Sequence, residues 1–293
     1  MSTAVLAHPT GAAAVPASLS DEALARESVR AQAALRRRKW VIIGLRLLFL
    51  FVVLGGWELA ASRKWIDPFF YSQPSLIWQQ IVEWVRDGTS QGPLWVQIAV
   101  TLEETIIGFL IGGIGGIVFG ILLGRNKLLA DVFSIYIKIA NSIPRVVLGS
   151  VFVIALGLGM ASKVALAVVM VFFVVFGNAF QGVIEADKYL IANARILGAS
   201  PRQVTAAVVI PSAMSWILAS LHVSFGFALV GAVVGEFLGA KQGMGLLIST
   251  AQGAFNASGV FAAMILLAAV ALVADFALTR LEKRLLKWRP AAF

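Results

Sequence analysis

The hydrophobic residues of this chain fall in long uninterrupted runs, separated by short polar segments. An α-helix needs about 20 apolar residues to cross the roughly 30 Å hydrocarbon core of a bilayer. Runs near or above that length occupy about 40–60, 100–124, 130–158, 163–184, 209–236 and 258–280. The pattern therefore predicts an all-α polytopic membrane protein with about six transmembrane helices.

Glycine recurs at intervals of four along the second run, at Gly108, Gly112, Gly116, Gly120 and Gly124. Small residues at this spacing let two helix backbones approach closely inside a membrane. We therefore expect the second span to be buried in a helix–helix interface.

Composition supports the membrane assignment and limits the chemistry. Of the 293 residues, 59% are hydrophobic and 13% are charged, whereas about 25% of the residues in soluble domains are charged. The chain has no cysteine, which excludes disulfides, thiolate zinc sites, iron–sulfur clusters and cysteine nucleophiles.

The distribution of the 24 basic residues predicts the orientation of the spans. Basic clusters precede the first run and follow the last, and cytoplasmic segments carry the excess of Lys and Arg. With six spans both termini lie on one side, so we expect both to be cytoplasmic. The short loops then assigned inside hold Arg125, Lys127, Lys188, Arg195 and Arg202, and those assigned outside hold only Lys163 and Lys241. The longer outside loop, about 61–95, adds Arg63, Lys64 and Arg86.

Residues 1–38 precede the membrane domain, which we place at 39–293. The first 35 residues are rich in Ala, Ser and Pro and lack an apolar run, so we expect a largely disordered cytoplasmic tail with a short helix near 21–38. The first span should remain as an anchor, because the charged and apolar regions of a cleaved signal peptide are not at the start.

An amphipathic helix is predicted in the long outer loop, over Pro74–Arg86. Its apolar residues share one face and tryptophans flank them. Two arrangements stay open: the helix lies in the lipid headgroup region, or it packs on the protein's own outer surface.

The segment 185–211 predicts two short helices that meet at a glycine. Residues 187–197 can form the first helix, with Leu190, Ala194 and Leu197 on one face. Gly198 can end it in a left-handed conformation at little steric cost.

Ser200 can then cap a second helix that has Pro201 at its first position and Gln203 three residues after the cap. Pro211 is expected to interrupt the helical pattern before the fifth span. This segment is either an ordinary structured loop or a rigid element that docks into a partner protein.

Here the sequence resembles a known family. The spacing of Ala194, Gly198 and Pro211 is similar to the EAA loop of ABC-importer permeases, EAA-x3-G-x9-I-x-L-P. In this register the family's Glu falls on Ala192 and its first Ala on Asn193. The nearby Glu185-Ala186 is out of register.

More specifically, the chain resembles the nitrate/sulfonate/taurine branch of these permeases over about 97–289. The branch has Pro-Leu and a Trp-Phe-Gly stretch where this chain has Gly149-Ser150 and Ala155-Leu156-Gly157, so the substrate is not predicted. The segments that carry the resemblance are Thr101-Leu102, Gly108-Phe109, Ser142–Arg145, Gly157–Gly159, Ser162-Lys163, Phe172-Phe173, Phe176–Asn178, Asn193–Ser200, Val234–Glu236 and Gln242–Gly245.

The resemblance implies the membrane subunit of a type I ABC importer with a MetI-like permease fold, in the inner (cell) membrane. It implies transport rather than catalysis, no cofactor, and a pathway formed by two copies for a small organic or inorganic anion. An ATPase dimer would bind inside and a solute-binding protein outside. The residues expected to couple to the ATPase are Ala192, Asn193, Ala194, Gly198, Ala199, Ser200, Pro201 and Pro211.

Polar side chains at membrane depth are costly unless they are paired or face water, so each is a candidate for the pathway. The alternative is that Asn and Ser hydrogen-bond helices together, and that Asp275 pairs with Arg280 or with a neighbouring helix. His222 has no second imidazole near it in the sequence, so no metal site is predicted. The pathway candidates are Ser142, Arg145, Asn178, His222, Ser224 and Glu236.

Arg145 is the most informative of these candidates. It follows Pro144, which lacks an N–H and is expected to break the third span. A guanidinium too deep to reach the headgroups would either line the pathway, where it favours an anion, or pair with an acidic side chain or helix carbonyls.

Two other classes of function remain to be weighed. A secondary transporter or channel that acts without an ATPase would show internal repeats with paired broken helices, and none is evident. A membrane-bound enzyme would need clustered His or acidic residues, and the chain has only His8 and His222.

Overall fold

The computed structural model describes residues 17–285, with side chains described for 35–280 and for Arg284. This part of the chain is almost entirely helical. The helices are α1 (Ala17–Ser62), α2 (Pro68–Tyr71), α3 (Pro74–Arg86), α4 (Leu94–Arg125), α5 (Lys127–Ser142), α6 (Leu148–Leu156), α7 (Met160–Ile184), α8 (Lys188–Ile196), α9 (Pro201–Val204), α10 (Ile210–Leu238), α11 (Met244–Gly253) and α12 (Ala257–Leu285). A 3-10 turn, Arg145–Val147, precedes α6, and a π-helical segment, Thr205–Val209, joins α9 to α10.

The chain divides into two compact units, residues 1–60 and 61–293. The first unit consists of α1 as far as the structure describes it. Residues 17–38, part of the segment expected to be largely disordered, are the beginning of this helix, and 1–16 lie outside the described residues. Its apolar part, Leu35–Ser62, is long enough to cross a membrane.

Five of the six predicted spans each correspond to one helix. Besides the apolar part of α1, the single helices long and apolar enough to cross a bilayer are Leu94–Arg125, Met160–Ile184, Pro201–Leu238 and Ala257–Arg280. The third predicted span is a pair, Lys127–Ser142 and Arg145–Leu156, bent by 74°. Pro144 lies in the break, as expected of a residue that has no N–H for the helical ladder. The all-helical fold with five or six spans is thereby confirmed.

The second unit is built around α4, α7 and α10. The glycines of α4 face α7 so closely that side chains there are excluded. A Cβ added to Gly112 would lie 2.7 Å from the carbonyl oxygen of Val168, and one added to Gly116 would lie 2.8 Å from that of Phe172. The expected close helix–helix interface of the second span is confirmed, and its partner is α7.

Helix α3 spans the predicted residues and packs on α12. Ile77 is 2% exposed and Trp84 is 7% exposed, and the Asn256 amide donates a 2.9 Å hydrogen bond to the side chain of Gln80. Of the two arrangements left open for this helix, the structure has the one in which it packs on the protein itself.

Candidate functional site

The first half of the 185–211 segment is a short helix with defined ends. Asp187 begins α8, because its carboxylate accepts hydrogen bonds from the backbone N–H groups of Tyr189 at 2.7 Å and Leu190 at 3.4 Å. Gly198 ends the helix with φ of +84°. This left-handed conformation is the one that the sequence predicts for it.

Two backbone hydrogen bonds close the end of α8. The N–H of Gly198 donates to the carbonyl of Arg195, and the N–H of Ala199 donates to that of Ala194, both at 3.0 Å. This pair of bonds is the Schellman motif, which satisfies carbonyls that a helix end otherwise leaves unpaired.

The second half begins with a capping box at Ser200. The Gln203 N–H donates to the Ser200 hydroxyl at 3.4 Å, and the Ser200 N–H donates to the Gln203 side chain at 2.8 Å. Pro201 occupies the first turn of α9. The predicted cap is confirmed, and the turn between α8 and α9 is held at both sides by local hydrogen bonds.

The expected interruption at Pro211 is wrong. Helix α9 continues through the π-helical segment into α10, so that Pro201–Leu238 forms one continuous span. In the π segment the N–H of Ile210 donates to the carbonyl of Thr205, five residues back. Such a widened turn absorbs one extra residue, and it lies just before the proline, whose missing N–H would leave a gap in a regular α-helical ladder.

The inner side of the segment packs against the main bundle. Ile191, Ala194 and Ala199 contact a buried cluster that includes Val183 of α7 and Ile217 of α10. These contacts fix α8 and the glycine turn to the ends of the spans.

The outer side of the segment carries exposed apolar groups. Tyr189 is 83% exposed, Ile196 82% and Leu197 86%. Of the three residues that the sequence places on one face, Ala194 packs against the bundle, whereas Leu190 and Leu197 are exposed. Of the remaining coupling candidates, Ala192, Asn193, Ser200, Pro201 and Pro211 are also exposed.

A second polar arrangement lies at the other end of α10, around the N-terminus of α11. The Glu236 carboxylate accepts a 2.7 Å hydrogen bond from the Thr101 hydroxyl and a 2.6 Å bond from the N–H of Gly245. The N–H of Gly243 donates to the Gln97 side chain at 2.8 Å, and that of Met244 donates to the Thr101 oxygen at 2.9 Å. Side chains from α4 and α10 thus cap α11 in place of a local cap.

The glycines of this turn are required by its geometry. Gly243 has φ of +116°, a backbone conformation that residues other than glycine rarely adopt. A Cβ on Gly245 would meet the Val233 carbonyl oxygen and the Glu236 side chain. The close approach of the turn to Glu236 explains the Gln242–Gly245 segment noted in the sequence.

Two further charged residues complete this cluster. Lys163 is 1% exposed and Glu104 is 3% exposed, and Lys163 interacts electrostatically with both Glu104 and Glu236. The Lys163 ammonium donates to the carbonyls of Leu158 at 2.8 Å and Gly159 at 3.1 Å. We call Gln97, Thr101, Glu104, Lys163 and Glu236 the buried polar cluster.

Sequence reasoning found only part of this cluster. Glu236 is among the pathway candidates, the sequence places Lys163 in a short outer loop, and Thr101 and Lys163 also belong to segments that carry the family resemblance. Gln97 and Glu104 are the members that the sequence analysis does not name. The sequence does contain an indication for Glu104. It is an acidic residue within an apolar helical run, and because burying a charge in a membrane costs free energy, such a residue is a candidate for function.

Several pathway candidates hydrogen-bond to the backbone of their own helix. The Ser142 hydroxyl donates to Lys138, the Asn178 amide to Val174 and the Ser224 hydroxyl to Ser220, at 2.9, 2.9 and 2.6 Å. Ser224 is fully buried and Asn178 is partly buried. This bonding is common for Ser in membrane helices.

Arg145 and His222 have partners of different kinds. The Arg145 guanidinium donates a 2.6 Å hydrogen bond to Asn141 and lies 5.1 Å from the centre of the Phe173 ring. His222 of α10 lies 2.9 Å from the Asp275 carboxylate of α12. Asp275 therefore pairs with a neighbouring helix, while Arg280 lies over the Phe276 ring. Within the described residues, no group of three His, Asp or Glu side chains could hold a metal ion.

Comparison with known proteins identifies this architecture. The family described as the binding-protein-dependent transport system inner membrane component matches residues 116–287. The taurine transport system permease protein TauC of Escherichia coli is 26% identical over 259 residues, covering 86% of this chain and 94% of TauC. The formylaminopyrimidine transport permease protein ThiX of Halalkalibacterium halodurans is 27% identical, covering 83% of this chain and 94% of ThiX.

A Bacillus subtilis protein named SsuC for aliphatic sulfonates transport is 28% identical, covering 90% of this chain and 93% of its own length. Among solved structures, the inward-facing MetNI methionine ABC transporter matches the fold with a TM-score of 0.57 and 21% identity, covering 64% of this chain and 94% of the matched chain. The chain therefore belongs to the binding-protein-dependent transport system inner membrane component family, and it is a membrane-spanning ABC importer permease subunit of MetI-like fold.

Proposed function

We propose that two copies of this chain form the translocation pathway of an ATP-driven importer, with an ATPase dimer docked on segment 185–211. A solute-binding protein delivers the substrate on the opposite side of the membrane. Both termini lie in the cytoplasm, as the distribution of basic residues favours. The family supports this assembly in general terms, and the geometry of the segment supports the docking site.

The single observation that carries the docking proposal is the exposed apolar surface of Tyr189, Ile196 and Leu197. Their side chains are more than four-fifths exposed, in a segment that is rigidly capped at both halves. Burying such a side chain against a partner contributes roughly 1.5–3 kcal/mol. The surface therefore suits a protein partner that fits over the turn between α8 and α9.

Coupling in this proposal is mechanical. Closure of the ATPases on ATP displaces the docked segment, and the spans connected to it move between outward-facing and inward-facing arrangements. The Schellman motif and the capping box keep α8 and α9 in a fixed relation, so displacement moves them as one piece.

For the substrate we propose a small anion. The names of SsuC and TauC refer to transport of aliphatic sulfonates and of taurine, which favours this class. The name of ThiX refers to a formylaminopyrimidine, so relatives of similar sequence identity differ in the substrate that they are named for. Arg145 supplies a positive charge next to the break in the third span, where it would lower the cost of removing an anion from water. The remaining pathway candidates are Ser142, Asn178, His222, Ser224 and Glu236.

Co-purification tests the docking site. Replacing both Ile196 and Leu197 with Asp should abolish co-purification of the ATPase, because it places charges in the apolar contact. Phe255→Asp is a matched control, since Phe255 is 72% exposed but lies between α11 and α12. Retention of the ATPase by the Ile196/Leu197 variant, at normal expression, would refute the docking surface.

A further inference from the structure

A large apolar groove lies between α4, α5 and α7. Its volume is about 810 Å³, and its walls are made mainly of aromatic and aliphatic side chains. Its lining residues include Phe119, Leu122, Phe133, Phe172 and Phe176. Such a groove, on helices that cross the membrane, is open to a hydrocarbon chain.

The mouth of the groove is positively charged. Arg125 at the end of α4 and Lys127 at the beginning of α5 both line it and are both exposed. Neither forms an ion pair or hydrogen bond with its side chain in the part of the chain that the structure describes. The side chain of Asn126, between them, already accepts hydrogen bonds from the N–H groups of Leu128 and Leu129 at 3.1 and 3.2 Å.

Two further features set the local charge. The N-terminus of α5 points its positive dipole end at this turn, which adds to the attraction for an anion. Asp131, one turn further along α5, is the nearest acidic residue along that helix, and it does not line the groove. The mouth therefore keeps a net positive charge.

The depth of these groups matches the layout of a phospholipid. Arg125 is the last residue of α4, and Phe119 lies six residues earlier, which is roughly 9 Å deeper at 1.5 Å per residue. In a bilayer crossed by α4, the charges at its end would lie at the level of the headgroups and the aromatic walls within the hydrocarbon. In the orientation proposed above this is the cytoplasmic leaflet, which attracts basic groups to its anionic lipids.

We propose that this groove is a binding site for an anionic phospholipid, with the phosphate held by Arg125 and Lys127 and one acyl chain lying along Phe119, Phe133 and Phe176. Basic pockets between spans on this side of a membrane are suited to anionic headgroups. A second copy of this basic chain, whose formal net charge is +9, is a poorer occupant of the positively charged mouth than an anionic lipid.

The site also borders the docking segment. Arg125 lines a second, smaller cavity of about 240 Å³ together with Arg195 and Pro201 of segment 185–211. A lipid phosphate on Arg125 therefore lies beside the proposed ATPase docking site. This link to activity and the assignment to the cytoplasmic leaflet rest on the proposed function, whereas lipid binding by the purified chain does not.

Lipid binding to the purified full-length chain tests the proposal without any ATPase. Native mass spectrometry would count bound phosphatidylglycerol and phosphatidylcholine, and thermal unfolding in detergent would measure their stabilisation. We expect phosphatidylglycerol to bind in preference, and the double variant Arg125→Gln/Lys127→Gln to weaken its binding roughly tenfold or more while leaving phosphatidylcholine unchanged. Lys188→Gln/Arg202→Gln removes the same charge from exposed positions outside the groove and should bind as the unaltered chain does.

A second variant tests the contribution of the apolar groove to lipid binding separately from that of the two cations. Leu122→Trp fills the groove, so it should also weaken phosphatidylglycerol binding although both cations remain. Equal binding of the two lipids, or unchanged binding by both groove variants, would overturn the proposal. So would a disulfide between two copies of a Leu128→Cys variant in liposomes, since it would mean that a second copy covers the groove.

Discussion

The Thr101 hydroxyl on α4 donates a 2.7 Å hydrogen bond to Glu236 on α10, and its oxygen accepts the N–H of Met244 on α11 at 2.9 Å. One hydroxyl thus joins three helices. Two buried groups lose a partner if it is removed, and each unsatisfied buried group costs about 1–3 kcal/mol.

Thr101→Val is nearly isosteric and removes this hydroxyl alone. We expect a loss of about 2 kcal/mol or more, which corresponds to a fall of roughly 4–8 °C in the melting temperature of a chain of this size. Thermal unfolding in detergent measures it. Thr279→Val is the control, because the Thr279 hydroxyl donates within its own helix, to the Asp275 carbonyl. Equal melting temperatures for the two variants would contradict the role of Thr101.

The charges of the buried polar cluster should depend on one another. Lys163→Met removes the cation that interacts electrostatically with Glu104 and Glu236, so the two buried acids are left without a compensating charge and the melting temperature should fall. Adding Glu104→Gln should recover part of that loss, because it removes one of the acids. The melting temperatures of the single and double variants form a double-mutant cycle, and strictly additive effects would exclude the electrostatic coupling.

The glycine turn predicts a graded series at position 198. A Cβ there would have open space around it, so substitutions act through the backbone conformation at φ of +84°. Gly198→Val should abolish transport and its stimulation of ATP hydrolysis, since a β-branched residue resists positive φ. Gly198→Asn should retain most of both, because Asn tolerates the left-handed region. Normal coupled transport by the Val variant, inserted at normal levels, would refute the role of the turn.

Substitutions of Arg145 distinguish a charge that lines the pathway from one that only stabilises the structure. Arg145→Lys keeps the charge and should retain partial transport, whereas Arg145→Gln should lower transport with assembly intact. Uptake of a substrate into liposomes, together with size-exclusion chromatography, measures both properties. Normal transport by the Gln variant, or failure of both variants to assemble, would show that Arg145 is not a pathway charge.

The orientation of the chain can be tested directly because it has no native cysteine. Cysteines introduced at Ala12 and Ala292, which lie outside the described residues, should be shielded from impermeant reagents added outside. A cysteine at Ser90, in the loop between α3 and α4, should react. Labelling of one terminus but not the other would mean an odd number of spans.

The features that the sequence predicted correctly are those fixed by neighbours along the chain. The capping box joins Ser200 to Gln203, three residues apart, and the turn at Gly198 depends on one residue's φ. The break at Pro144 likewise follows from a missing N–H at one position. Such features need no knowledge of what packs against them.

The features that it missed depend on contacts between distant residues. The Gln97 side chain caps Gly243 across 146 positions, so no local pattern could indicate that α11 has a cap. The exposure of Leu197 beside the inward-facing Ala194 depends on how α8 packs against the bundle. Pro211 was expected to end the helix, but the π-helical turn just before it accommodates the missing N–H and the helix continues.

The unbroken span Pro201–Leu238 has a mechanical consequence. At 38 residues it is a rod roughly 57 Å long, with the capping box at its beginning and Glu236 near its end. A displacement of the α9 end is therefore transmitted to the cap of α11 through continuous helix, without an intervening loop. The π segment is the one irregular joint along this rod, and its conversion to regular α-helix would shift the register by one residue. That shift would turn α9 by about 100° relative to α10.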